Sequence, residues 1–92
     1  MSEKRLQVNV VDRDEVLWAG NASYVSVPAP DGRMGILPGR QPMLAILAPG
    51  IIEVTLEDGQ KTAVDADGGF VSVDSDVVTV VVGEGVINDP TK

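Results

Sequence analysis

The hydrophobic pattern along most of this chain has a period of two residues. Leu6, Val8 and Val10 alternate with Gln7 and Asn9, which predicts a strand with one buried face and one face in water. Comparable short apolar segments, each followed by residues typical of turns, predict further strands at 15–19, 24–28, 43–48, 51–56, 60–64, 69–73 and 77–83, with Val86 and Ile87 as a last short edge. No segment shows helical periodicity over the length of a helix. The pattern therefore predicts a single all-β domain, a sandwich or a small barrel, of roughly eight to ten strands.

Two turns in the second half of the chain predict hairpins. Asp58 and Gly59 stand between two apolar segments, and this pair predicts a type I′ turn, a geometry that needs positive φ at both central residues. A second turn is predicted at residues 74–76, where the sequence is Asp-Ser-Asp.

Valine dominates the apolar residues, and branched side chains suit the pleated surface of a sheet. The valine rows, Trp18 and Phe70 are expected in the core. Residues 43–48 are continuously apolar, which suits either a strand buried on both faces or a strand whose second face meets another protein.

The composition of the 92 residues excludes several functions. The formal net charge of −7 opposes binding to phosphate backbones, so nucleic acid is not an expected partner. The chain has no histidine and no cysteine, which rules out a histidine-based triad, a thiolate nucleophile and the usual zinc sites. We expect a non-catalytic protein without a cofactor, a metal site or a small-molecule substrate, one that works through its surfaces.

Glycine and proline are most closely spaced in residues 32–42, Gly-Arg-Met-Gly-Ile-Leu-Pro-Gly-Arg-Gln-Pro. Glycine tolerates positive φ and proline fixes φ, so this segment is expected to hold a defined shape. On composition alone it could be no more than a link between two strands.

The segment resembles a signature of the epsilon subunit of rotary F-type ATP synthases, Gly-Glu-Leu-Gly-Ile-x-Pro-Gly-His-x-Pro, which lies in the N-terminal β-sandwich domain of that family. The matching residues are Gly32, Gly35, Ile36, Pro38, Gly39 and Pro42. The resemblance extends to Leu6–Val11, to Trp18-Ala19-Gly20, to Ala48-Pro49-Gly50 and to residues 68–73, and so covers nearly the whole chain. Arg33 and Arg40 depart from the family, which usually has an acidic residue and a histidine at these two positions.

This resemblance implies a two-sheet β-sandwich of short antiparallel strands over residues 1–88, followed by a polar tail at residues 89–92. It also implies a non-catalytic subunit of the central stalk, which binds the gamma subunit and the membrane c-ring and couples their rotation to ATP synthesis. Members of the family continue into a C-terminal helical hairpin, and no residues of this sequence correspond to it. A naturally short subunit and a truncated one would both have this sequence pattern. We therefore expect neither inhibition by such helices nor a nucleotide site.

The resemblance also implies two contact surfaces. For the c-ring, the expected contacts are Arg33, Met34, Gly35, Ile36, Leu37, Pro38, Gly39, Arg40, Gln41 and Pro42. For gamma, they are Met43, Leu44, Ala45, Ile46 and Leu47. The two arginines make the signature more basic than in the family, so we expect it to favour a c-ring with an acidic residue nearby.

The opening Met-Ser-Glu-Lys-Arg leads directly into an amphipathic strand, and neither a signal peptide nor a membrane span is expected. A bacterial protein bound peripherally at the cytoplasmic face of the plasma membrane is the predicted location. The alternative function is a free-standing β-sandwich that binds another protein.

Overall fold

The structure is a computed structural model that describes residues 5–12, 15–83 and 85–87. The described residues form strands and turns and contain no helix. The strands are β1 (Leu6–Val11), β2 (Val16–Ala29), β3 (Gly32–Ile36), β4 (Met43–Leu56), β5 (Lys61–Asp74), β6 (Val77–Val82) and β7 (Gly85–Ile87). The all-β prediction is confirmed, including the short last strand, whereas the predicted tail at 89–92 lies outside the described residues.

Three long strands replace six of the predicted short ones. β2, β4 and β5 are 14 residues each, and each joins two segments that the sequence pattern separated. Pro49 and Gly50, expected to end a strand, continue β4 because they pair with Asp67 and Ala66 of β5. The prediction of eight to ten short strands was therefore wrong, since β4 and β5 stay paired through the positions at which a break was expected.

Five of the strands close into a ring. The order is β1, β6, β5, β4 and β2, and β2 pairs back onto β1, while β3 extends the sheet beyond β2 and β7 pairs with β5. The long strands belong to both sides of this flattened barrel, which gives it a sandwich-like shape. For example, Ala22 of β2 pairs with Leu6 of β1 and also with Leu56 of β4.

One pairing in the ring is parallel, between β1 and β6, and the prediction of antiparallel strands throughout was wrong there. Each antiparallel neighbour reverses the strand direction, and a closed ring must return to the direction in which it started. A ring of five strands therefore cannot be antiparallel at every step, and the β1–β6 pair meets this requirement.

The turn geometries are exchanged relative to the prediction. At the β4–β5 hairpin, Gly59 has positive φ (92°) but Asp58 does not, and Leu56 bonds both Gly59 and Gln60. This is the bonding of a three-residue loop rather than a type I′ turn. Positive φ at two successive residues occurs instead at Ser75 (51°) and Asp76 (64°), between β5 and β6.

The core is built mainly from valine, as the composition predicts. Its buried apolar residues are Leu6, Val8, Val10, Ala22, Val25, Val27, Ile36, Leu47, Ile52, Val54, Val64, Ala66, Val71, Val73, Val78, Val80 and Val82. Trp18 packs against this cluster and is partly buried. Phe70, however, is 41% exposed, so its assignment to the core was wrong. It alternates with the buried Val71 and therefore lies on the outer face of β5.

Candidate functional site

The signature segment divides into a strand and a loop. Gly32–Ile36 is β3, which pairs with β2, and residues 37–42 form the loop that leads into β4. Ile36 is completely buried, so its side chain supports the loop from the core and does not face a partner. Leu37, the next residue, is 58% exposed, and Gly39, Arg40, Gln41 and Pro42 are exposed as well.

Arg33 is folded back onto its own sheet. Its Nε donates to Ser26 Oγ at 2.9 Å, and its Nη2 donates to the carbonyl oxygens of Ser26 at 3.1 Å and Ile51 at 2.7 Å. The guanidinium thus connects β3 to β2 and β4, and it supplies a partner to Ser26, a polar side chain that is only 8% exposed. Contact between Arg33 and the c-ring stays a prediction, and within the chain its guanidinium links three strands.

Gly35 is fixed by a side chain that packs over it. A Cβ at this position would collide with the Tyr24 hydroxyl and lie 3.0 Å from Cζ of the same ring. Tyr24 therefore rests on the backbone of β3, and the glycine of the signature permits this close approach.

The loop at 37–42 is held at its tip and at its ends. Gly39 N donates to Asp76 Oδ1 at 2.8 Å, which ties the tip to the β5–β6 turn. Arg40 spans the ends of the loop, with Nη1 3.4 Å from the Gly35 oxygen and Nε 2.9 Å from the Met43 sulfur. The defined shape expected from the glycines and prolines thus comes partly from hydrogen bonds.

The second predicted surface alternates between core and solvent. Leu44 and Ile46 are 72% and 71% exposed, whereas Met43 and Ala45 are partly buried and Leu47 is 4% exposed. Of the two interpretations of this apolar segment, burial on both faces is therefore wrong. The side chain of Leu47 belongs to the core and is not available to a partner.

The exposed side chains of this strand continue across the sheet. Ile46 pairs with Phe70 of β5, and Phe70 pairs with the partly buried Val81 of β6. Paired residues point to the same side of a sheet, so Leu44, Ile46, Phe70 and Val81 form one surface, called here the apolar face. The first half of β4 also has an open edge, since β5 is the strand that pairs with it in the described part of the chain.

Phe70 and Asp76 are the residues that sequence reasoning missed. Phe70 could have been placed by strict alternation, because Val71 and Val73 continue a buried row and leave Phe70 and Ser72 on the other face. Asp76 had no comparable signal, since its bond to Gly39 joins segments that are 37 residues apart.

Removing the guanidinium of Arg33 tests its role as a tie. We expect Arg33→Met to lower the free energy of unfolding by about 1–2 kcal/mol, because Ser26 Oγ loses its donor. Urea unfolding monitored by circular dichroism measures the change. Arg40→Met is the matched control and should cost less than about 0.5 kcal/mol, because the hydrogen bonds of Arg40 to Gly35 and Met43 are exposed to water and involve no buried polar group. Equal losses in the two variants would contradict a special role for Arg33.

A family profile described as the beta-sandwich domain of the ATP synthase Delta/Epsilon chain matches residues 5–87. The ATP synthase epsilon chain of Micrococcus luteus is 40% identical over 84 residues, which are 91% of this chain and 92% of the relative. The ATP synthase epsilon chain of Bordetella petrii is 37% identical over 75 residues, or 82% of this chain and 53% of the relative. The ATP synthase epsilon chain 2 of Ralstonia nicotianae is 43% identical over 68 residues, which are 74% of this chain and 49% of the relative. The chain therefore spans about half the length of the last two relatives.

Two solved structures are similar in fold. A chain of the Euglena gracilis mitochondrial ATP synthase, from a structure of OSCP, F1 and the c-ring, has a TM-score of 0.86 and 29% identity over 92% of this chain and 54% of its own. A chain of the Tetrahymena thermophila mitochondrial ATP synthase central stalk and c-ring has a TM-score of 0.70 over 94% of this chain and 69% of its own. At 14% identity, the second match supports the fold alone. Among the residues that the structure describes, there is no helix that could cross a membrane.

Proposed function

The chain belongs to the β-sandwich family of ATP synthase delta and epsilon chains, and on this premise we propose that it joins the gamma subunit to the membrane c-ring. It is a non-catalytic subunit of epsilon type. As part of the rotor of a proton-translocating ATP synthase, it would make the ring and gamma turn as one body. The family assignment argues against the alternative of a free-standing binding module.

The apolar face is the observation that carries this proposal. Two large aliphatic side chains more than 70% exposed, beside an exposed phenylalanine, are costly to leave in water on a small domain. A partner that covers Leu44, Ile46 and Phe70 removes this cost, and the open edge of β4 leaves room for it. We assign this face to gamma, with Leu44 and Ile46 as the leading contacts.

The loop at 37–42 is assigned to the c-ring. It is exposed, it is held in shape by its own hydrogen bonds, and Leu37 offers an apolar contact at its start. Pre-ordering lowers the entropy that a loop loses on binding. The buried valine core of the domain also suits the transfer of torque, because close-packed interiors transmit strain.

Of the two arginines that depart from the family signature, Arg40 is better placed to meet an acidic partner. Arg33 is bonded to β2 and β4, so Arg33→Glu would disturb the sheet as well as the charge. Arg40 lies in the exposed loop, and its hydrogen bonds to Gly35 and Met43 join only the ends of that loop. Arg40→Glu is therefore the cleaner test of whether the ring side carries an acidic residue.

A rotor subunit is held at the membrane by its partners. We therefore expect a peripheral protein of the ATP synthase complex, at the cytoplasmic face of the plasma membrane.

Calorimetric titration with the gamma subunit of the same organism, at physiological salt, tests the proposal. We expect stoichiometric binding, which should persist in Leu37→Thr because that residue belongs to the ring side. The same chain should then bind the isolated c-ring more tightly with gamma present than without it. A folded chain that binds neither gamma nor the ring–gamma complex would refute the proposed role.

A further inference from the structure

Asp76 connects three parts of the chain that are distant in sequence. Its Oδ1 accepts a hydrogen bond from Gly39 N at 2.8 Å, and its main-chain oxygen accepts one from Gln7 N at 2.9 Å. The residue therefore fixes the tip of the loop at 37–42 to the β5–β6 turn, and it fixes this turn to the start of β1.

We propose that Asp76 is the positioning residue of this loop. Its carboxylate holds Gly39 in place, and the turn formed by Ser75 and Asp76 belongs to the same ring-facing surface as the loop. This inference rests on the proposed function in one respect, the assignment of the loop to the c-ring.

The surroundings of Gly39 explain why a hydrogen bond is needed to hold the tip of the loop in place. Gly39 has φ +89°, and a Cβ built on it would have no atom within 4 Å. On the side where a Cβ would lie, Gly39 therefore meets no other group, and side-chain packing does not restrain it there. A hydrogen bond to a charged carboxylate is among the stronger single hydrogen bonds available to a backbone N–H.

The backbone of the turn supports a role beyond chain reversal. Ser75 and Asp76 both have positive φ, a conformation that glycine adopts with less strain than other residues. A turn needed for reversal alone would be more stable with glycine at the second position. Aspartate at 76 supplies what glycine lacks, the carboxylate that accepts from Gly39.

Three variants distinguish the effect of the Asp76–Gly39 hydrogen bond from the effect of the backbone conformation of the turn. Asp76→Gly removes the carboxylate and keeps the positive φ, so the hairpin itself is retained. Asp76→Asn keeps an oxygen acceptor without the charge, and asparagine tolerates this backbone region. Ser75→Gly is the matched control, because it adds a glycine to the same turn and leaves the bond to Gly39 in place.

The measurements are amide hydrogen exchange at Gly39 and affinity for the c-ring–gamma complex, with titration by gamma alone as reference. In Asp76→Gly we expect exchange at Gly39 to rise about tenfold or more and ring-dependent affinity to fall about tenfold. Asp76→Asn should recover much of the protection, and Ser75→Gly should match the unmodified chain. Binding to gamma alone should not change in any of the three.

The possible failures are distinguishable. Unchanged exchange at Gly39 in Asp76→Gly would overturn the positioning role. Increased exchange with unchanged ring affinity would overturn the claim that the shape of this loop serves the ring. If the unmodified chain did not bind the ring–gamma complex, the proposed function would fail, while the exchange data would still decide whether Asp76 holds the loop.

Discussion

Gly69→Ala is expected to be the most destabilising single-methyl change in the described part of the chain, lowering the free energy of unfolding by at least about 3 kcal/mol. A Cβ at this position would collide with the Val81 carbonyl oxygen and lie 2.9 Å from the Val81 carbonyl carbon and the Val82 Cα. These are backbone atoms of the neighbouring strand, which cannot rotate away as a side chain can. Gly69 also has φ +131°, where alanine is strained. Urea unfolding, or the loss of a cooperative transition, measures the effect.

Gly32→Ala is the control that distinguishes the steric clash with β6 from the backbone strain of a positive φ. Gly32 has a similar φ of +137°, but a Cβ there would meet nothing within 4 Å. We expect this control to lose only the strain contribution, about 1–2 kcal/mol. If both variants lost the same free energy, the clash with Val81 would not be the cause, and the close approach of β5 to β6 would need another explanation.

The faces of the strands could be predicted from the sequence, but their continuity could not. Alternation places Leu6, Val8 and Val10 in the core, because period two assigns each residue of a strand to one face or the other. Pro49 and Gly50 resemble the end of a strand when β4 is considered alone. They continue it because β5 also continues at this level and pairs with them, and this depends on two segments at once.

The candidate site was predictable to a similar extent. The composition of residues 32–42 indicated a shaped segment, and the structure shows a strand and a loop there. That Arg33 turns inward while Arg40 spans the loop depends on Ser26 and the Ile51 carbonyl lying across the sheet from β3. Likewise, the Asp76–Gly39 hydrogen bond forms because the closed barrel of strands brings the β5–β6 turn beside the loop. Neither juxtaposition follows from local sequence.

Replacing Leu44 and Ile46 together by threonine is expected to weaken binding to gamma by about a hundredfold. Each side chain is more than 70% exposed in the free chain, so its burial should contribute about 1–2 kcal/mol on binding and little to folding. Threonine is branched at Cβ, as strands favour, and the free energy of unfolding should change by less than about 1 kcal/mol. Titration with gamma and urea unfolding of the same variant measure the two effects separately.

The controls for this double variant use two other exposed apolar residues, Val16 and Leu37. Val16→Thr changes a 60% exposed valine of β2 outside the apolar face, and it should leave the affinity for gamma within about twofold. Leu37→Thr should weaken the ring contact and spare gamma, whereas the Leu44 and Ile46 changes should do the reverse. Such a crossed result would mean that gamma and the ring bind separate surfaces of one rigid domain, which a coupling subunit requires. If the double variant bound gamma as tightly as the unmodified chain, the gamma interface would lie elsewhere, and the exposure of the apolar face would require a different partner.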